Sequence, residues 1–375
     1  MAPIRVGLVG LSTTTSPRQP GAWAGRAHLP FILRSPDYQL VALANSTKES
    51  ARRSLEANGL AATTKVYGSP EDLAKDPDVD MVAISVRVEK HFDLAKPAIL
   101  NKKDIFVEWP LGASVREAEE LTRLAKENGV RTIVGLQFRV TPVIVKLRQM
   151  LAEDKIGKVL CSTAWGCSSH LPIDAWIEGA EYYLDMKSGG NEFTINFGHF
   201  LDVFTNVLGG FADLQSTLKS SNASVPVYGK NGTIINPGYK KTSPEQILVQ
   251  GTLDGGAVAS IAFRKPQSAV DGTGIRWLIT GTEGEIEITA PEAQWPAFAP
   301  KFTLKLKKGK DGPVEDISVD AEEAIFDGID EQGKDTARLY AAVANGDTAA
   351  YATFETALET HKLLERIVKA AGWET

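Results

Sequence analysis

The chain has 375 residues, of which 43% are hydrophobic and 23% are charged, and its formal net charge is -6. This length exceeds the usual size of one hydrophobic core, and the composition is typical of packed protein, so two globular domains are expected. The negative charge argues against a basic surface that would neutralise nucleic-acid phosphates. No direct nucleic-acid partner is therefore predicted.

The cysteines and the apolar runs argue against a metal-binding, secreted or membrane protein. Cys161 and Cys167 have no accompanying pair of metal ligands, so we interpret them as buried thiols and predict no metal site. The sequence shows neither a signal peptide nor an apolar run of about eighteen residues, so no membrane partner is expected. These features predict a cytoplasmic protein.

The first part of the chain alternates short apolar strands with helices. An apolar strand from Ile4 runs into a turn at Gly10, and further strands are predicted at 38–44, 79–86, 104–108 and 131–136. Strands of this kind with helices between them predict a doubly wound parallel sheet, the Rossmann fold, over residues 1–134. The glycine turn is interrupted, because Gly10, Leu11 and Ser12 are followed by an insertion before Gly25.

The remainder of the chain has a different pattern. Residues 246–263 and 277–288 each read as two strands joined by a glycine turn, which is typical of antiparallel hairpins. Helices are predicted at 190–208 and 353–371. We therefore predict that residues 135–375 form an α+β substrate and oligomerisation domain with an open, largely antiparallel sheet. A second copy of the chain would cover the outer face of that sheet, so this pattern favours a homodimer.

Several motifs recur in the order found in one known group. They are Gly10-x-Ser12 with Gly25-x-x-His28, Glu108-Trp109-Pro110, Gly135 to Arg139, Gly157 and Gly190 to His199. Together they resemble the Gfo/Idh/MocA oxidoreductases, and within them a fungal branch that includes the galactose-regulon repressor of yeasts. The resemblance covers almost the whole chain. It implies an N-terminal Rossmann domain, a C-terminal α/β domain and a bound NAD or NADP.

Two positions depart from the active site that the resemblance implies. Trp109 stands where the family usually has a lysine, and Ile195 where it usually has an aspartate. Neither side chain can move a proton near neutral pH, whereas His199 can. Asn196 and Asp202 are spaced to orient the His199 ring. The alternative is a helix histidine that is merely satisfied by its neighbours.

Other catalytic and substrate candidates surround these positions in sequence. Tyr182, Tyr183 or Lys187 could replace the missing lysine, although a polar loop with core aromatics is the alternative interpretation. Arg139 resembles the substrate-side arginine of the family. The predicted substrate-binding residues are Trp109, Arg139 and Asn196, and Trp109-Pro110 is predicted to be a cis peptide that brings the indole beside the cofactor.

The cofactor is predicted from the end of the second strand. An NAD site normally has an acid there, but this chain has Asn45, Ser46 and Thr47, with Arg52 in the next helix. The residues therefore favour NADP, with NAD as the alternative. The predicted cofactor-binding residues are Gly10, Leu11, Ser12, Gly25, His28, Asn45, Ser46, Thr47, Arg52, Arg87, His91, Glu108 and Trp109.

Two functions remain open on this basis. The first is an NAD(P)-dependent oxidoreductase that acts on a sugar, polyol or related hydroxy or carbonyl compound. The second is a non-catalytic, dinucleotide-binding transcriptional regulator like the yeast repressor, which would have a protein partner and a nuclear location. The loss of the lysine and the aspartate favours the regulator, whereas the short chain favours the enzyme.

Overall fold

The computed structural model describes residues 2–14, 21–167, 172–291, 302–319 and 324–373. The strands are β1 (Ile4–Val9), β2 (Tyr38–Ala44), β3 (Lys65–Tyr67), β4 (Met81–Ile84), β5 (Asp104–Glu108), β6 (Thr132–Gly135), β7 (Val159–Cys167), β8 (Trp176–Ile177), β9 (Phe211–Lys219), β10 (Ser224–Tyr228), β11 (Ile234–Lys240), β12 (Gln246–Leu253), β13 (Val258–Arg264), β14 (Thr273–Gly281), β15 (Gly284–Pro291), β16 (Thr303–Lys308) and β17 (Val314–Asp316). The helices are α1 (Leu29–Arg34), α2 (Lys48–Ala57), α3 (Pro70–Ala74), α4 (His91–Leu100), α5 (Val115–Asn128), α6 (Pro142–Ala152), α7 (Gly198–Leu208), α8 (Glu331–Ala344) and α9 (Phe354–Ala370).

The chain divides into two compact units. Unit 1 contains Met1–Val140 and Glu322–His361, and unit 2 contains Thr141–Ala321 and Lys362–Thr375. The sequence placed everything after residue 134 in the second domain. The structure differs, because a segment near the C-terminus packs into the core of unit 1.

Unit 1 is built on a six-stranded parallel sheet with the order β3-β2-β1-β4-β5-β6. The predicted Rossmann fold is therefore confirmed. The order reverses between β1 and β4, and in such sheets ligands bind outside the carboxyl ends of the strands at that point. Local signals fix the connecting helices. For example, Ser114 caps the start of α5 and Gly129, in a left-handed conformation, ends it.

The C-terminal segment of unit 1 supplies a central part of its core. Tyr340 on α8 is fully buried and stacks on Phe106 of β5, with ring centroids 5.1 Å apart. The Tyr38 hydroxyl donates to the Tyr340 carbonyl oxygen at 2.7 Å. After α8, the Val134 backbone N–H donates to the Ala352 carbonyl at 2.9 Å, which ties the segment to β6. These contacts explain why the segment belongs to unit 1.

Unit 2 contains an eight-stranded sheet with the order β17-β16-β15-β14-β7-β13-β12-β9 and a three-stranded sheet with the order β11-β10-β8. In the larger sheet only β7 and β13 pair in parallel, so the predicted open, largely antiparallel sheet is confirmed. Helix α7 packs on it through Phe204, which stacks on Trp277 at 5.5 Å. Cys161 and Cys167 lie on β7 as free thiols.

Neither a spanning helix nor a metal centre is found in the described part of the chain. Within the ranges given above, no helix combines the length and the apolarity needed to cross a membrane. The same ranges contain no cluster of three or more histidine, cysteine, aspartate or glutamate side chains suited to a metal ion.

Candidate functional site

The turn after β1 passes close to the end of β4. Gly10 has a φ of +98°, a conformation that L side chains rarely adopt, and a Cβ at this position would overlap the Ser85 carbonyl oxygen and Val86 Cγ1. Gly25 is different, because the nearest atoms to a Cβ there would be 3.7 Å away. Only the first of the two predicted glycines is therefore required by close packing.

Three side chains hold the carbonyl groups of this turn. The Asn45 amide donates to Leu11 O at 2.9 Å, and the Ser54 hydroxyl donates to the same oxygen at 2.7 Å. The Asn58 amide donates to Ser12 O at 3.0 Å. Asn45 was predicted to contact the cofactor, and the structure shows its amide nitrogen shaping the turn by donating to the Leu11 carbonyl.

The remaining residues near the end of β2 are exposed. The Thr47 hydroxyl caps α2 by accepting from the Ser50 backbone N–H at 3.0 Å. Ser46 and Arg52 are exposed. A shallow cavity of about 260 Å³ on α2 is lined by Lys48, Glu49, Arg52, Arg53 and Glu56. The residues at the end of β2, Asn45, Ser46 and Thr47, include no acid. The NADP prediction rests on this absence of a carboxylate at the strand end.

A buried hydrogen-bonded chain lies behind the end of β5. The His28 Nε2 atom is 2.7 Å from Glu108 Oε1, and its Nδ1 atom is 2.8 Å from the Tyr340 hydroxyl. His28 is fully buried. Both ring nitrogens thus have partners inside unit 1, and His28 supports the Glu108 carboxylate. Its predicted contact with a cofactor stays a prediction.

Gly135 makes room for that carboxylate. A Cβ at residue 135 would lie 2.6 Å from Glu108 Oε2 and 2.8 Å from Glu108 Cδ. The absence of a side chain at the end of β6 therefore allows the Glu108 side chain to lie across the neighbouring strand. Gly135 was part of the sequence motif, but its role becomes clear only from this contact.

The Trp109-Pro110 peptide bond is cis, which confirms that prediction. The Trp109 indole is buried and packs against His361 of α9, with ring centroids 4.6 Å apart. Burial, together with the nearby His91, lowers the pKa of His361 to about 4, so its ring is neutral at pH 7. The sequence gave no reason to single out His361.

His91 and Arg87 make polar contacts around the loop after β4. His91 has its Nδ1 atom 2.7 Å from Pro110 O and its Nε2 atom 3.1 Å from Val86 O. Burial lowers the pKa of His91. Both nitrogens face backbone carbonyls, and the single N–H of a neutral ring donates to one of them, so His91 helps to hold this loop. Its predicted contact with a cofactor stays a prediction. Arg87 is exposed and pairs with Glu89 at 2.9 Å.

Several buried polar atoms of unit 1 lack a hydrogen-bond partner among the described residues. Two of them lie just after strands of the sheet: Ser85 directly follows β4, and Gln137 is two residues after β6. The others in this region are Glu89 Oε2 and His361 Nε2. Arg139, which was predicted to bind substrate, is also buried after β6. Buried polar atoms normally find partners, so these atoms fit a polar ligand such as a dinucleotide at the carboxyl ends of the strands.

His199 lies in the first turn of α7 in unit 2. It is buried, and the burial lowers its pKa to about 3. The ring is therefore neutral at pH 7 and can donate a hydrogen bond at one nitrogen and accept one at the other. The Asn196 amide, which was predicted to help orient this ring, donates to Glu192 Oε1 at 3.1 Å.

The two neighbouring tyrosines before α7, Tyr182 and Tyr183, have different surroundings. Tyr183 stacks on Trp176, with ring centroids 5.5 Å apart, and Tyr182 contacts its ring edge-on. Burial and the Glu192 carboxylate raise the pKa of Tyr183 well above its usual value, so the phenol keeps its proton. Lys187 is exposed in the following turn.

Sequence reasoning missed a buried ion pair beside Tyr183. Lys265 Nζ lies 3.0 Å from Glu192 Oε2, and both side chains are almost fully buried. The Lys265 ammonium also lies 5.5 Å from the centre of the Trp176 ring. A lysine after a strand ordinarily reads as a surface residue, so no sequence signal could have identified it.

Two family models match the chain. Residues 4–136 match the NAD-binding Rossmann fold of the GFO_IDH_MocA oxidoreductase family, and residues 142–290 match the C-terminal domain of Gal80p. The chain belongs to the Gfo/Idh/MocA oxidoreductase family. The resemblance noted from the motifs is therefore confirmed.

Individual relatives of this Gfo/Idh/MocA protein include an enzyme and a regulator. It is 28% identical over 374 residues to Dehydrogenase aclE of Aspergillus oryzae, covering 98% of this chain and 96% of that protein. It is 31% identical over 303 residues to the galactose/lactose metabolism regulatory protein GAL80 of Kluyveromyces lactis, covering 76% of this chain. The alignment spans only 64% of that regulatory protein.

A solved structure supports the fold of both units. The super-repressor mutant of Gal80p from Saccharomyces cerevisiae superposes with a TM-score of 0.85 at 22% sequence identity, covering 99% of this chain and 96% of that one. At this identity the likeness concerns the fold alone.

Proposed function

We propose that this protein is an NAD(P)-dependent oxidoreductase that acts on a sugar, polyol or related hydroxy or carbonyl compound. Two buried polar atoms at the strand ends, Ser85 Oγ and Gln137 Oε1, have no hydrogen-bond partner among the described residues, and this observation carries the proposal. The same part of unit 1 contains the Gly10 turn and the Glu108 carboxylate, which His28 contacts. The oxidoreductase family match and the full-length similarity to a dehydrogenase support it.

The chain's own residues would bind and orient the reactants. A bound nicotinamide dinucleotide would supply the hydride chemistry. The Gly10 turn lets the backbone approach a pyrophosphate, and Ser85 and Gln137 offer polar atoms at the strand ends. In unit 2, the protonated Tyr183 phenol and the neutral His199 ring are the candidate hydrogen-bonding groups for a substrate hydroxyl.

The experiment for this proposal is a two-step assay. The purified protein is first titrated with NADPH and NADH, and binding is followed by nicotinamide fluorescence. Sugars, polyols and aldehydes are then screened for a change in nicotinamide absorbance, with reactions lacking the dinucleotide as controls. Saturable binding followed by turnover supports the proposal. The absence of binding by either dinucleotide would overturn it.

A second function is favoured by Trp109 and Ile195, which replace the usual lysine and aspartate. In this alternative the chain is a non-catalytic, dinucleotide-binding regulator with a protein partner and a nuclear location, and the similarity to a regulatory protein supports it. Saturable dinucleotide binding without turnover of any compound in the screen would favour this function over the enzyme.

We expect NADP(H) to bind more tightly than NAD(H). Ser46 and Arg52 are exposed at and after the end of β2, and positions 45–47 at that strand end carry no acid that would repel a 2′-phosphate. Changing Ser46 and Arg52 to Ala should weaken NADPH binding, with each lost charged contact costing about 1.5–3 kcal/mol, and should leave NADH binding nearly unchanged. Fluorescence titration measures both dissociation constants.

The neighbouring Arg53 offers a matched control for that prediction. Arg53 is equally exposed on α2, so Arg53→Ala removes the same charge from the same helix. We expect it to weaken NADPH binding much less than Arg52→Ala. Equal loss in the two variants would mean that only general electrostatics is involved, and equal affinity of the unchanged protein for NADPH and NADH would contradict the NADP assignment.

The predicted homodimer fits the exposed face of the large sheet. Leu248 of β12 and Val258 of β13 are both more than half exposed, at 51% and 54%. The strand register sets Leu248 beside Thr217 and Ala262 on this face. We infer that a second copy covers it through a two-fold interface. Light scattering should give twice the chain mass, and Leu248→Lys should shift the protein to the monomer.

A further inference from the structure

The C-terminal segment brings a histidine to the end of β5 in unit 1. His361 lies on α9 and packs against Trp109, which directly follows β5, with ring centroids 4.6 Å apart. The start of α9 is fixed, because the Phe354 backbone N–H donates to the Thr132 hydroxyl of β6 at 3.1 Å. His361 is therefore placed by secondary structure rather than by a loose tail.

The His361 ring has an unused polar atom. His361 is 6% exposed, and its Nε2 atom has no hydrogen-bond partner in the ranges that the structure describes. The buried His28 of unit 1 differs from it, because its two ring nitrogens lie within hydrogen-bond distance of the Tyr340 hydroxyl and the Glu108 carboxylate. Because a buried nitrogen without a partner is unfavourable, His361 points to a ligand that supplies one.

The position of this atom suggests its chemistry. The ends of parallel strands are where ligands bind in a doubly wound sheet, and Trp109 itself cannot carry a proton. A neutral imidazole can accept a proton at one nitrogen while the other stays protonated. Besides burial, the charge of His91 in unit 1 lowers the pKa of His361.

We propose that His361 Nε2 is the proton acceptor for the substrate hydroxyl in the oxidation direction. The hydroxyl proton would move to Nε2 while the electron pair of the broken O–H bond forms the carbonyl, and an oxidised nicotinamide dinucleotide, when bound, would supply the acceptor for the hydride that leaves carbon. The imidazolium then returns the proton to solvent. This inference rests on the proposed oxidoreductase function.

Nitrogen NMR of histidine tests the ligand contact without any turnover. The chain has five histidines, so a protein labelled with ¹⁵N-histidine gives few signals, and His361→Gln assigns the relevant one. Addition of NADP⁺ together with a polyol that reduces it, or of NADPH alone if none does, should shift the His361 Nε2 signal and leave that of His28 in place. An unchanged His361 signal at saturating dinucleotide overturns the proposal.

Kinetics tests the proton transfer. His361→Ala should lower kcat about 10²–10⁴-fold while the dissociation constant of the dinucleotide changes less than threefold, and added imidazole should restore part of the rate. Glu365→Gln, one turn further along α9 and exposed, is the matched control and should keep the full rate. A normal rate in His361→Ala would overturn the proposal. If the unchanged protein turns over no compound, the oxidoreductase function fails, and the NMR result still decides whether His361 contacts a ligand.

Discussion

Replacing Lys265 with Met is expected to lower the free energy of unfolding of unit 2 by about 3–5 kcal/mol. The change would leave the Glu192 carboxylate buried without its cation, since the two side chains are 2% and 3% exposed and 3.0 Å apart. It also removes the ammonium beside Trp176. Urea unfolding followed by tryptophan fluorescence and circular dichroism measures the loss.

A second variant separates the ion pair from general packing. Lys265→Met combined with Glu192→Gln removes both charges and keeps the amide as a partner for Asn196, so most of the lost stability should return. The exposed pair Lys369 and Glu365 in the same unit is the control, and Lys369→Met should cost less than about 1 kcal/mol. A small effect of Lys265→Met alone would show that Glu192 takes up a proton or reaches water.

Acidification is expected to destabilise both units well above the pH at which carboxylates are protonated. The folded pKa is about 3 for His199 in unit 2 and about 4 for His361 in unit 1, both below the ordinary value of 6.5. The unfolded chain therefore binds more protons than the folded one below pH 6.5. Stability is fully present above that pH and falls as the pH drops toward 4, by about 1.4 kcal/mol per pH unit for each histidine.

Unfolding midpoints in urea at pH 7.5 and pH 5 test this prediction. His199→Asn should reduce the acid sensitivity of the unit 2 transition, and His361→Asn that of the unit 1 transition, because each variant removes one group that must be protonated on unfolding. Equal sensitivity in the variants and in the unchanged protein would show that other groups determine the acid response.

The sequence predicted the architecture well where local patterns were strong. The bounds of β2 and β5 were predicted to the residue, because short apolar runs mark them. The assignment of residues 322–361 could not be predicted. Helix α8 has an ordinary amphipathic pattern, and nothing in that pattern shows that Tyr340 stacks on Phe106 of a strand far away in sequence.

The candidate site was predictable only in part. Glu108 and Tyr183 were singled out as the end of a strand and an aromatic pair. The roles of His28, His91 and Asn45 depend on which distant atom each side chain reaches, and their sequence positions do not reveal Tyr340, Pro110 O or Leu11 O as partners. Lys265 and His361 were missed because burial of a charged or titratable residue follows from tertiary packing.

Unit 1 is built from two separate stretches of the chain, and this has a consequence for its folding during synthesis on the ribosome. The six strands of its sheet emerge first, but Phe31, Tyr38 and Phe106 remain without Tyr340 until residues 141–321 have also been translated. During that interval an apolar surface is open to chaperones and to other nascent chains. The last stretch of the chain thus sets the moment at which its first strands become a finished domain.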